Sequence, residues 1–155
     1  MDNPVYGLFL KAFSRLPRRV RRALIHWGAP SYSVGSICLI ERDDGQVLLV
    51  RQSYRDGWAA PGGLLQRGEE PDAAARREVK EEVGIDVDTI GEPLVNIDVN
   101  ARRIDVVFRC RVRPPVPDVF SADSVEIVEV RWFPKETLPA MQKETAEAFR
   151  RLSVG

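Results

Sequence analysis

The sequence predicts an α/β fold in which a mixed sheet carries helices on both faces, preceded by a basic helical extension. Three observations predict it. Short runs rich in Val, Ile and Leu recur at 34–40, 46–51, 104–112 and 126–133, with Gly, Pro, Asn or Asp between them. Two segments, 71–83 and 140–152, carry their apolar residues at helical spacing instead. The order strands, helix, strands, helix suits a sheet covered on two sides. The first thirty residues share neither the strand pattern nor the charge of the rest.

That extension, residues 1–30, holds Lys11, Arg15, Arg18, Arg19, Arg21 and Arg22 against Asp2 alone up to residue 28, a net of +5 that leaves −5 for the remainder. Val5, Leu8, Phe9, Phe13 and Leu16 recur at helical spacing, as do Val20, Leu24 and Trp27 beyond Pro17, so an amphipathic helix broken or kinked at Pro17 is expected. Such a helix can pack on the domain or on a second subunit as a homodimer contact. It can also lie on an anionic membrane surface through residues 1–28, because Trp and Phe beside arginines suit the interface.

From residue 31 onward the pattern is that of a single domain running to 155. Val34–Ile40 and Gln46–Arg51 flank the Asp43-Asp44-Gly45 turn and read as a hairpin. Trp58 precedes Pro61-Gly62-Gly63, where two residues without Cβ let the backbone turn sharply and approach a ligand. Beyond the helix, Asp86–Thr89 and Leu94–Val99 read as two short strands, and Ile104–Val112 as a stronger one. Pro114, Pro115 and Pro117 mark a loop, Glu126–Phe133 is a last strand, and Ala140–Leu152 a closing helix.

The helix at 71–83 carries the chemistry. Pro71 suits its first position and Gly84 the left-handed residue that ends it. Glu78, Glu81 and Glu82 stand at i, i+3 and i+4, placing three carboxylates on one face within one turn. Like charges at that spacing repel by a few tenths of a kcal/mol per pair unless a cation neutralises them, at roughly the scale of other exposed helix pairs. Hard divalent ions such as Mg²⁺ bind carboxylate oxygens and share their shell with water and phosphate, so the three glutamates form a plausible metal platform. Ala74, Ala75 and Val79 on the opposite face let the helix lie close to a sheet.

The run GLLQRGEEPDAAARREVKEEVGI, Gly63 to Ile85, resembles position for position the Nudix box, with Val79 and Ile85 at its aliphatic positions. Seven positions are fixed to one residue type, and at roughly 6% usage per type a chance match is on the order of one in a million. The resemblance extends through GWAAPGG before the box and EIVEVRWFPKETLP after it. It implies an α/β/α sandwich with the box as a loop–helix–loop, and metal-dependent hydrolysis of a nucleoside diphosphate linked to another group.

Carried over residue by residue, it implies that Glu78 and Glu82 are direct metal ligands, that Glu81 is a further ligand or the proton acceptor, and that the carbonyl of Gly62 completes the shell. Gly63, Glu69, Arg77 and Gly84 are implied to hold the box together, Glu69 and Arg77 as an ion pair. Family members differ in their general base. Glu126 is the candidate here, with Asp123 and Glu129 behind it, although a solvated strand end explains all three as well. The catalytic set is thus Glu81, Glu82 and Glu126, with Mg²⁺ as cofactor and Mn²⁺ able to substitute. Arg51, Tyr54, Arg55 and Arg103 are the candidate substrate contacts. Core packing is the plainer role for Trp58 and Trp132, and His26 has no catalytic role.

The signatures that mark family members acting on ADP-ribose, dinucleoside polyphosphates, coenzyme A or NADH are missing, which favours a nucleoside triphosphate or a modified nucleotide as substrate. A catalytically silent nucleotide-sensing module of the same fold is the alternative; the repelling carboxylates argue against it, since a pure binder does not need them. With 23 basic and 23 acidic residues, nothing advertises a nucleic-acid polymer as partner. Cys38 and Cys110 sit in apolar runs without ligand spacing and read as buried reduced thiols. No apolar stretch reaches the roughly 18 residues of a membrane span, and no signal peptide is apparent, so a cytoplasmic location is expected.

Overall fold

The computed structural model describes residues 11–115, 120 and 125–152. Asp123, Pro117 and the apolar residues Val5, Leu8 and Phe9 of the extension lie outside the described residues. The chain divides into two compact units, Met1–Tyr32 and Ser33–Gly155. In the first, residues 11–15 are helical and a second helix, α1, spans Arg18–Gly28. Pro17 stands between them in an extended conformation at the N-cap of α1, because its ring disfavours the helical backbone at the residue before it and lacks the N–H to continue a helix.

The second unit contains β1 (Ser33–Ile40), β2 (Gln46–Gln52), β3 (Trp58–Ala59), β4 (Gly62–Leu64), α2 (Pro71–Val83), β5 (Val87–Asp98), β6 (Arg103–Val112), β7 (Ile127–Pro134), a short 3₁₀ turn at Lys135–Thr137 and α3 (Lys143–Leu152). Two sheets form, in the orders β4-β1-β6-β5 and β3-β2-β7. The first is mixed: β1 runs parallel to β6 from Ser33↔Arg103 to Ile40↔Cys110, while β4 and β5 are antiparallel to their neighbours.

The expected β1–β2 hairpin does not form. The two strands meet at one bridge, Glu41↔Val47, and by the Arg42 N–H donating to the Gln46 carbonyl at 2.8 Å. Both edges of β1 are occupied, one by β6 and the other by β4 and the Pro61 carbonyl, so β2 leaves after the turn to pair with β3 and β7. The two short strands expected at 86–89 and 94–99 are likewise one strand, β5. Its register shifts between Ile90 and Leu94, around Gly91 at φ 66°, so the chain bulges without leaving the ladder.

Strand alternation divides the core. Cys38, Ile40, Phe108, Cys110 and Val112 meet Ala75, Val79 and Val83 of α2, together with Leu48, Val50 and Ile127 of the second sheet. Ile37, Leu39 and Val107, one residue out of phase, pack with Ala148, Phe149 and Leu152 of α3. Both cysteines are buried and unbridged. The small side chains of Ala74 and Ala75 let α2 approach β1 closely enough for the Ser36 hydroxyl to donate to the Pro71 carbonyl at 2.8 Å and the Cys38 thiol to the Ala75 carbonyl at 3.5 Å. Val79 is fully buried on this face, turned away from the carboxylates. Val79→Ala should therefore cost about 2 kcal/mol of stability by opening a cavity, measured by urea denaturation, with turnover of folded protein retained.

Candidate active site

The helix α2 begins at Pro71 and ends where Gly84 adopts the left-handed conformation, φ 80°, with its N–H donating to the Lys80 carbonyl. This fixes the rotation of the helix and brings Glu78 and Glu82, one turn apart, to the wall of a cleft of about 500 Å³. The floor comes from β3 and β4. A Cβ at Gly62 would collide with the Ser36 carbonyl and the Ile37 backbone, and a Cβ at Gly63 would fall on the Glu78 carboxylate. Only glycines permit this approach of loop, strand and helix.

Glu82 is buried, with 9% of its surface exposed, and its Oε2 accepts the Gly62 N–H at 2.9 Å. Burial pushes its carboxyl up to about 8; the Gly62 hydrogen bond opposes this, and the negative charges of Glu78, Glu126 and Glu81 add to it. A folded-state value above the usual 4.5 means that the protonated form is preferentially stabilised by folding. The contribution of Glu82 to stability is therefore complete below about 4.5 and is lost as the pH rises to about 8. The Tm of protein stripped with EDTA should fall across that window, and Glu82→Gln should flatten the fall; an unchanged slope in the variant would contradict this origin.

Arg77 organises the neighbouring charges. Its Nε and Nη2 donate to Glu69 Oε1 and Oε2 at 2.8 and 2.9 Å, its Nη1 to Glu78 Oε1 at 2.7 Å and Glu81 Oε2 at 3.1 Å, and its Nη2 also to the Leu64 carbonyl at 3.2 Å. Glu69 additionally accepts the Gln66 N–H at 2.8 Å. Its hydrogen bonds, that from Arg77 foremost, hold its carboxyl down at about 2.

Of the residues singled out from sequence, Gly62, Gly63, Tyr54, Arg55, Arg77, Glu78, Glu82, Arg103 and Glu126 line the cleft. Glu69 and Gly84 support α2 from outside it. Glu81 does not reach it: its side chain is 58% exposed and turns to Arg77. Arg51 does not reach it either, because alternation along β2 gives the cleft to Gln52, and Arg51 pairs instead with Glu129, Nη2 to Oε2 at 2.9 Å. Glu129 is also bonded to Arg131, which leaves Glu126 as the acidic residue of this strand end that faces the cleft. Trp58 packs edge-on against Phe133 with ring centroids 4.7 Å apart.

Sequence reasoning missed the far wall. Glu144 pairs with Arg55 through both carboxylate oxygens, at 3.2 and 3.1 Å; Gln142 bonds Gln52 at 3.1 Å; and the Thr145 hydroxyl accepts the Ala60 N–H at 2.9 Å. Buried Asp105 accepts from Arg103 Nε at 2.7 Å. An Arg-x-Asp pair on one face of a strand was the single signal available for these contacts.

The donor set suits a hard divalent cation: carboxylate oxygens at Glu78 and Glu82, a third carboxylate at Glu126, and burial that makes ionised Glu82 costly until a cation neutralises it. Among the described residues no three acidic side chains already converge to ligand distance. Arg77 draws Glu78 and Glu81 toward itself.

Comparison with known proteins identifies the family. The family model described as NUDIX domain matches residues 31–152. A MutT-like protein of Streptomyces ambofaciens is 36% identical over 84 residues, 53% of each chain. The human 8-oxo-dGDP phosphatase NUDT18 is 29% identical over 112 residues, 70% of this chain and 33% of that protein. The chain thus spans about half or less of the length of these curated relatives. Among solved structures, a NUDIX hydrolase from Nitrosomonas europaea superposes with a TM-score of 0.68 at 23% identity, over 79% of this chain and 70% of that one, a likeness of fold. With the family model covering all but the last three residues of the unit that builds the cleft, the chain belongs to the NUDIX family.

Proposed function

We propose that this chain is a divalent-metal-dependent hydrolase that cleaves a P–O–P linkage in a nucleoside diphosphate derivative, with a nucleoside triphosphate or a modified nucleotide as the favoured substrate. The observation that carries the reading is the pairing of Glu78 and Glu82 on one turn of α2 beneath a loop that only Gly62 and Gly63 allow to come so close. Glu78 and Glu82 would hold Mg²⁺ or Mn²⁺, with the Gly62 backbone beside them. When bound, the cation neutralises charge on phosphate oxygens and acidifies a water. Glu126, which lines the same cleft, would accept the proton of the attacking water as its oxygen bonds to phosphorus and the bridging oxygen departs with the leaving phosphate. Glu81, exposed and tied to Arg77, then serves the site by tuning the charge around Arg77.

Arg55 and Arg103 would bind phosphate, each held in place by an acid behind it, Glu144 and Asp105. Tyr54, 63% exposed at the cleft mouth, offers a ring face to the base. The name of the human relative, an 8-oxo-dGDP phosphatase, supports a modified nucleotide as substrate. The test is a panel of nucleoside triphosphates, nucleotide sugars, ADP-ribose, dinucleoside polyphosphates and oxidised nucleotides, with products resolved chromatographically. Release of phosphate or pyrophosphate from a triphosphate or an oxidised nucleotide, abolished by EDTA and restored by Mg²⁺, is expected. Tight nucleotide binding without product under those conditions would mark a sensing module instead.

A further inference from the structure

We propose that α1 is a membrane-surface helix that docks the protein on anionic lipid. The helix spans eleven residues, none of them buried. Val20, Ala23, Leu24 and Trp27 stand at i, i+3, i+4 and i+7 and form one apolar stripe. Val20 and Leu24 are 43% and 48% exposed, and Trp27 is 92% exposed. Arg18 and Arg22 occupy the opposite side together with Ile25, and Arg19, Arg21 and His26 flank the stripe. Between residues 11 and 28 there is no Asp or Glu, while Lys11 and Arg15 extend the positive charge.

Two properties together identify the occupant. The unbroken positive charge selects an anionic partner, since no acid in the segment offsets it. The apolar stripe requires that partner to accept Leu24 and Trp27 out of water, which a lipid interface does and a phosphodiester backbone does not. Packing on a second copy through this stripe would bury Leu24 and Trp27 and leave the arginines without counter-charge. The remaining net charge of −5 on the rest of the chain keeps any lipid attraction confined to this segment. The inference is independent of the proposed hydrolase activity, because it concerns a helix of the first unit and the residues named for the cleft belong to the second.

The experiment is co-sedimentation of the full chain with vesicles of phosphatidylcholine alone or of phosphatidylcholine mixed equally with phosphatidylglycerol, at about 0.1 M and about 0.5 M salt. The expected result is binding to the anionic vesicles at least about tenfold above that to the neutral ones, falling at high salt. Arg18→Gln/Arg22→Gln and Leu24→Gln/Trp27→Gln, which keep good helix formers in place, should each reduce binding about tenfold with the Tm of the hydrolase domain unchanged. Brominated lipid should quench emission from the wild-type chain and spare Trp27→Phe. Failure to sediment with anionic vesicles, equal binding to both vesicles, or undiminished binding by both double variants would overturn the proposal. So would light scattering that shows a dimer lost in Leu24→Gln/Trp27→Gln without vesicle binding, or retention on duplex DNA that this variant leaves intact while vesicles are ignored.

Discussion

Glu82→Gln is expected to lower kcat by about a thousandfold or more, equivalent to about 4 kcal/mol of barrier, while leaving the protein folded. Gln keeps an oxygen to accept the Gly62 N–H and nearly the volume of Glu, so the buried site stays filled. What it removes is the negative charge that would bind the cation. In metal-free protein that charge is a liability, because burial raises the carboxyl to about 8. The variant should thus be at least as stable as the wild type near pH 8 without metal, and should gain less Tm from Mg²⁺. Reduced turnover together with undiminished stability separates loss of chemistry from loss of fold. Product release assays and thermal melts on the same preparations check both halves, and full activity in the variant would remove Glu82 from the metal site.

Arg77→Ala should have the second largest effect, and through a different route. One guanidinium holds Glu69 through two hydrogen bonds and also restrains Glu78, Glu81 and the Leu64 carbonyl. Its removal leaves three acids without their cation and frees Glu78 beside Gly63, so turnover should fall by about tenfold or more from misplacement of the Glu78 carboxylate. The Tm should drop by several degrees near neutral pH. Glu69 titrates at about 2 in the folded protein against about 4.5 unfolded, so its contribution is present above about 4.5 and is lost as the pH falls toward 2. The Tm gap between wild type and Arg77→Ala should therefore narrow across that acid window, and a gap that does not respond to pH would show that Glu69 is not its source. Arg77→Lys should recover part of the loss, since an ammonium replaces the charge and cannot reproduce the two-pronged contact.

Local chemistry explains what could be read from the residues alone. Pro71 and Gly84 bracket α2 at both ends because each has a conformation that few other residues adopt there, and the observed helix runs from Pro71 to Val83. The glutamates followed from helical spacing. What depends on competition between distant segments could not be read: the Asp43-Asp44-Gly45 turn looks like a hairpin turn, yet β6 and β4 claim both edges of β1. Asp86–Thr89 and Leu94–Val99 read as two strands, yet β6 supplies a long enough ladder to carry β5 past a bulge. Arg51 and Gln52 differ by one position in a strand, and that parity decides which of them faces the cleft. Gln142, Glu144 and Thr145 reach the cleft because α3 is packed behind Ala60, a placement set by tertiary contacts and by no local motif.

The proposed hydrolysis depends on the paired carboxylates of α2 binding the metal in the cleft. Crystals grown with Mn²⁺ and measured at the manganese absorption edge test it most directly. An anomalous difference peak within ligand distance of both Glu78 and Glu82, beside Gly62 and absent in Glu82→Gln crystals, is the predicted result. A peak at saturating Mn²⁺ that lies elsewhere, or one that persists unchanged in Glu82→Gln, would contradict it.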